Sequence, residues 1–177
     1  RSGALALERC AIEPIERGWI SDGNIENFDE VVEAARRLIK RSGTRAREAA
    51  MALPTSVVIS KKIILPGGLS EREMEVQVES EANQYIPFPL EDVNLDFCEL
   101  GPAAGGSGEV DVLVAVSRKD KVEDRVALAQ SVGLKPVVMD VELLAAQAAL
   151  ELVVQRLPEG GRDKLIGFID VGDQAMH

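Results

Sequence analysis

The residues best placed to do chemistry run from Phe168 to Gly172, "FIDVG". A predicted buried strand (Leu165, Ile166, Phe168) ends in Asp170, and Gly172 stands two positions later. Glycine lets backbone amides approach an anion, and an aspartate beside it can orient a metal-bound water or a nucleophile. The pattern therefore suits a phosphate-handling turn, although the same residues also make an ordinary tight turn. The residues after Gly172 weaken the phosphate reading. Asp173 repels a phosphate unless a cation intervenes, and Gln174, Ala175 and Met176 supply no hydroxyl.

Most other site chemistries are excluded by residue type. His177 is the only histidine and the last residue, which rules against a catalytic triad or a histidine-based metal site in this chain. Cys10 and Cys98 both fall in predicted strands. They are too few for a disulfide framework, lack metal-ligand spacing, and fit a reducing cytoplasm. The glycine-rich stretch "GPAAGGSGE" lacks the Lys-Ser/Thr of a phosphate loop, and no nucleophile elbow is present. The thirty Asp and Glu residues offer no distinctive pair, since those of the predicted helix over 70–85 form a solvated face. No catalytic residue is assigned.

Charge narrows the partners. Thirty acidic against twenty basic residues leave a net charge of −10, which argues against a large nucleic-acid interface. The nearest basic cluster is Arg36, Arg37, Lys40, Arg41, Arg45 and Arg47, and its first members flank a predicted helix C-terminus, where the dipole favours cations. No apolar run approaches the roughly 18 residues needed to cross a bilayer, and no secretory pattern opens the chain.

The stretch Tyr85-Ile86-Pro87-Phe88-Pro89 is an apolar knuckle stiffened by proline, in a chain with one tyrosine, one tryptophan and four phenylalanines. It can close the base of a core, with the prolines fixing the exit direction. Alternatively it can wall a groove, because pre-ordered aromatics lose little entropy on binding.

Periodicity gives the elements that position these residues. A strand is expected over 4–15, then a turn-rich loop, a helix from Phe28 stopped by Gly43, and a strand over 46–53. Next come a strand over 56–65 and a helix over 70–85 opened by a Ser70/Glu73 capping box. Strands over 92–100 and 109–117 form a hairpin. A helix over 120–132 capped by Ser117 and a strand over 134–139 complete a β-α-β-β-α-β module, in which two crossovers cover one face of an antiparallel sheet. Asp140 is expected to cap a helix over 141–157, apolar nearly all round and so buried between layers. A last strand is expected over 164–170. The class is α/β, with a compact α+β module inserted.

The runs "ESEANQYIPFPLEDVNLDF" and "GLKPVVMDVE", in that order and spacing, resemble the PilM family of type IV pilus assembly proteins. The resemblance extends over nearly the whole chain. It implies a partial actin-like (ribonuclease H-like) domain. Subdomain 1A would comprise residues 1–55 and 140–163, the inserted subdomain 1C residues 56–139, and the start of subdomain 2A residues 164–177. In this family ATP with Mg sits between two lobes, which would place Asp170 and Gly172 at the second phosphate loop. The family's first phosphate loop should precede Arg1 and its adenosine lobe should come after His177, so this chain by itself is expected to hold no nucleotide.

The resemblance further implies a cytoplasmic scaffold of the inner-membrane alignment complex, peripheral to the membrane through its partner. That partner would be the N-terminal cytoplasmic peptide of PilN, docked between 1A and 1C, with pilus motor components and further copies of the chain as additional contacts. Tyr85, Ile86 and Phe88 on the insertion, and Asp140 and Glu142 where it rejoins 1A, are the candidate peptide contacts. The alternatives are a nucleotide-binding actin-like ATPase or phosphotransferase, and the related cytoplasmic domain of a type II secretion protein.

Overall fold

Alternation organises the centre of the molecule. In β6 (Glu109–Arg118), Val110, Val112, Val114 and Val116 are buried on one face, and Asp111, Leu113 and Ala115 alternate with them. The computed structural model describes residues 6–106, 108–162 and 164–169. In it β4 (Val58–Pro66) and β5 (Val93–Pro102) pair antiparallel with β6, in the order β4-β6-β5. Helix α2 (Glu71–Ala82) lays Met74, Val78 and Ala82 on the valine face, and Ile63, Leu65, Ile86 and Val93 complete that core. The expected capping box opens α2. The Ser70 hydroxyl accepts the Glu73 N–H at 3.4 Å, and the Glu73 carboxylate accepts the Ser70 N–H at 2.8 Å.

A second, smaller sheet pairs β3 (Glu48–Leu53) in parallel with β7 (Lys135–Val141). Helix α3 (Lys119–Ser131) packs on both strands, and α1 (Phe28–Ser42) packs on α3. Gly43, at φ +62°, ends α1 in the left-handed conformation, as its position in the sequence suggests. The loop before α1 holds a two-residue hairpin of β1 (Ile20–Ser21) and β2 (Asn24–Ile25). Its Asp22-Gly23 turn has φ of +48° and +77°, the primed geometry that matches strand twist. The turn is anchored on both sides. Buried Arg125 of α3 donates to the Gly23 carbonyl, and the Ser56 hydroxyl donates to the Asp22 carbonyl at 3.3 Å.

Several expectations are corrected. The closing strand of the inserted module does not join β4-β6-β5; it is β7, and it pairs with β3. A parallel partner requires a long crossover, and the chain between β3 and β7, ending in α3, supplies one. The antiparallel sheet therefore has three strands, with α2 covering its valine face. Residues 6–15 and 164–169 carry no strand. A strand exists only through its ladder, and no described strand runs beside either segment. Residues near Glu13 are instead held to α1 by its carboxylate, which accepts from Arg37 at 2.6 Å and Arg41 at 2.7 Å.

Helix α4 (Glu142–Val154), expected between two layers, has no buried residue, and Leu143, Leu152 and Val153 are exposed. Its main described neighbours are β7 and β3. Ser117 does not cap α3. Its side chain turns inward from β6 and donates to the Val57 carbonyl at 2.8 Å, leaving Arg118 at the cap position. Asp140 stands one residue before the α4 cap, Val141, and its carboxylate accepts the Val141 N–H at 2.7 Å. Among the described residues, no helix is long and apolar enough to cross a membrane.

Candidate functional site

The face of β4-β6-β5 turned away from α2 is also apolar at its centre, because Leu113 and Ala115 sit between the buried valines. Side chains opposite them come from the second sheet and its helices. Leu53 ends β3, Met139, Asp140 and Val141 end β7, Val122 lies on α3, and Leu144 lies on α4. Between the two sets is an open cleft of about 420 Å³, edged on the β5 side by Asn94, Asp96 and Cys98. The cleft is the seam between the two sheets.

Its chemistry is that of a binding slot. The walls are aliphatic, and Met139 adds a side chain that adapts to irregular shapes. Asp96 and Asp140 are the carboxylates in the lining, and no described lysine or arginine lines it, so a cationic or amide-bearing segment is favoured over an anion. Ser117 is committed to Val57. The Cys98 thiol is exposed and free, and no histidine stands among the described residues. Among the described residues no group of three or more His, Cys, Asp or Glu side chains is arranged to hold a metal ion.

The structure separates the candidate peptide contacts. Asp140 lines the cleft, and Glu142 is exposed on the first turn of α4 next to it. Ile86 is buried in the core on the opposite, α2 side of the sheet. Tyr85 packs half-buried against that same core, with the Lys61 ammonium 4.1 Å above its ring. Burial, followed by the nearby Glu81 charge, pushes the Tyr85 phenol pKa up, and its buried hydroxyl has no hydrogen-bond partner. Phe88 is exposed, with the Arg118 guanidinium 5.5 Å from its ring centre. None of these three lines the cleft. Asp170 and Gly172, expected at a phosphate, lie outside the described residues.

Sequence reasoning missed Leu113, Ala115, Asp96 and Met139. A signal for the first two was present: residues 112–116 are apolar without interruption, the mark of a strand covered on both faces. The alternation expected of a half-solvated strand breaks at that point.

Known proteins share this sequence and fold. The family model described as "Type IV pilus assembly protein PilM" matches residues 1–177, the whole chain. A solved chain of the "PilM-PilN type IV pilus biogenesis complex" is 33% identical with a TM-score of 0.72, over 82% of this chain and 43% of that one. The present chain thus spans less than half the length of that relative. A fainter likeness is to the cytoplasmic domain of EpsL, an inner membrane component of the type II secretion system of Vibrio cholerae. There the identity is 19% and the TM-score 0.47, over 67% of this chain and 44% of that one.

Proposed function

The chain belongs to the PilM family of type IV pilus assembly proteins, and from that membership we propose that it is a scaffold whose inter-sheet cleft receives the N-terminal tail of PilN. The unit built on β3 and β7 corresponds in this reading to subdomain 1A, and the β4-β6-β5 sheet with α2 to the inserted subdomain 1C. The scaffold works at the cytoplasmic face of the inner membrane, and its membrane partner holds it there.

One observation carries the reading: the cleft is apolar on both walls, and each wall belongs to a different sheet. A peptide seated there replaces water over Leu113, Ala115 and Met139 with one occupant, and so ties the two units together. The carboxylates of Asp96 and Asp140 at its edges suit a tail carrying basic residues. The named relative, a PilM-PilN complex, supports PilN as the occupant.

The two free cysteines provide the test. Cys98 edges the cleft, whereas Cys10 lies outside it, and both are exposed. A synthetic peptide of the PilN tail is expected to slow alkylation of Cys98 while leaving Cys10 at its free rate. Saturating peptide that leaves both rates unchanged refutes the cleft as its site. Tyr85→Ala and Phe88→Ala, measured by titration with the same peptide, decide the role of the knuckle. A loss above ~1 kcal/mol in a folded variant makes either residue an anchor, and no loss leaves Tyr85 to the core and Phe88 to its contact with Arg118.

A further inference from the structure

We propose that the outer edge of β5, with the acidic ridge of α2 beside it, is a second docking groove that takes an extended basic peptide as an added strand. The groove shares residues 94–97 of β5 with the cleft between the sheets, but its wall is α2, which does not line the cleft. β5 is an edge strand, whose inner side pairs with β6 and whose outer side pairs with no described strand. The Phe97 N–H donates to the Asp96 carboxylate at 2.9 Å, which shows the edge donor turned outward and satisfied by a local side chain. Residues two apart in an antiparallel strand point their backbone groups the same way, so Leu95 presents its N–H and C=O along the same edge. An incoming carbonyl can replace the Asp96 oxygen on Phe97 without leaving a buried donor unpaired.

The groove beside this edge has a volume of about 600 Å³. The half-buried Leu95 and Phe97 side chains give it an apolar floor. Glu71, Glu75 and Glu79, spaced four apart on one ridge of α2, form its wall, and all three are exposed. With Asp96 the lining holds four carboxylates against one guanidinium, that of Arg72. Charge complementarity therefore selects a basic occupant, and the backbone edge selects an extended one. The register shift between Glu99 and Gly101 breaks the ladder beyond Phe97 and limits the added strand to a short segment.

The other edge of the sheet is guarded. β4 carries Lys61 and Lys62 at mid-strand, the first over the Tyr85 ring and the second 2.9 Å from Asp111, and charges so placed discourage strand addition. The occupant of the β5 groove is accordingly a partner segment in which Lys or Arg alternates with aliphatic residues.

The test uses the 177-residue chain, nitrogen-15 labelled, and two acetylated heptapeptides, one alternating lysine with valine and one alternating glutamate with valine. The lysine peptide is expected to bind saturably, more weakly as salt rises, and to slow hydrogen exchange at the Leu95 and Phe97 amides. Glu75→Lys with Glu79→Lys, both on the exposed ridge, should weaken it by about tenfold, as two lost and reversed surface pairs allow. Equal binding of the glutamate peptide overturns the proposal, as does binding that leaves those two amides unchanged, or no saturable binding. Protection of the same amides that grows with protein concentration alone assigns the edge to a second copy of the chain and also overturns it. Glu75 and Glu79 line this groove and not the cleft, whereas Cys98 lines the cleft and not the groove, so sensitivity to the double charge reversal and Cys98 alkylation let either reading fail alone.

Discussion

Val114 and Leu113 are consecutive residues that the structure assigns to opposite duties, and replacing each with alanine tests that assignment. Val114 is fully buried against α2, in the cluster with Val78 and Val112. Val114→Ala removes two methyl groups, about 1.6 kcal/mol of transfer free energy at ~0.8 per carbon. The void left behind adds about 1 kcal/mol, because a packed core relaxes only partly. A loss near 2.5 kcal/mol corresponds to about 5–10 °C in Tm for a domain of this size. Leu113 faces the cleft and is only half-buried, so Leu113→Ala should cost about 1 kcal/mol of stability despite deleting more carbon. Its effect should appear in binding instead, as reduced protection of Cys98 by the PilN tail. Urea unfolding followed by circular dichroism, with midpoints compared at constant slope, reads the first quantity. If Leu113→Ala proved the more destabilising of the two, the two-faced reading of β6 would be wrong.

Further substitutions address two local features. Ser70→Ala should destabilise the chain by about 1 kcal/mol in the same urea assay, since it removes one half of the α2 capping box. Hydrogen bonds from the Ser70 hydroxyl, then from its backbone N–H, hold the Glu73 carboxylate below its ordinary pKa. That contribution is fully present above the unfolded value of about 4.3 and fades as pH falls through the lower folded value. The gap between the parent chain and Glu73→Gln should therefore close in acid, and a gap unchanged down to about pH 3 would contradict it. Gly23→Ala should cost more than Gly106→Ala. Both glycines have positive φ, worth about 1–2 kcal/mol, but only at Gly23 does a Cβ also meet Ser56 Oγ at 2.8 Å and Pro54 Cβ at 3.1 Å. Equal losses in midpoint would mean that the β1–β2 hairpin is not docked on residues 54–57.

What could be read in advance was what neighbouring residues decide among themselves. The Ser70–Glu73 box, the Met74/Val78/Ala82 stripe and the Gly43 stop are local, and each stands where periodicity and capping place it. Partner choice is different. Nothing within residues 135–141 says that they pair with β3 and not with their nearer neighbours, since the pairing is decided by a contact more than eighty residues back. The knuckle illustrates the same limit. Its prolines reveal stiffness, but the side to which Tyr85 and Ile86 turn depends on α2 and the valine face. The cleft between the sheets was equally hidden, because part of its lining comes from the second face of β6, which no single period describes.

The parallel ladder from Glu48↔Lys135 to Leu53↔Val141 also constrains how the molecule comes together. These strands are adjacent in space and distant along the chain, so their union must wait until the intervening residues have condensed. The antiparallel sheet, whose β5–β6 hairpin is local, can nucleate ahead of it. During synthesis β3 emerges first and remains single until β7 leaves the ribosome, exposing its apolar run to other chains in the interval. Closure of that ladder is expected to follow formation of the antiparallel sheet, and the cleft needs both sheets.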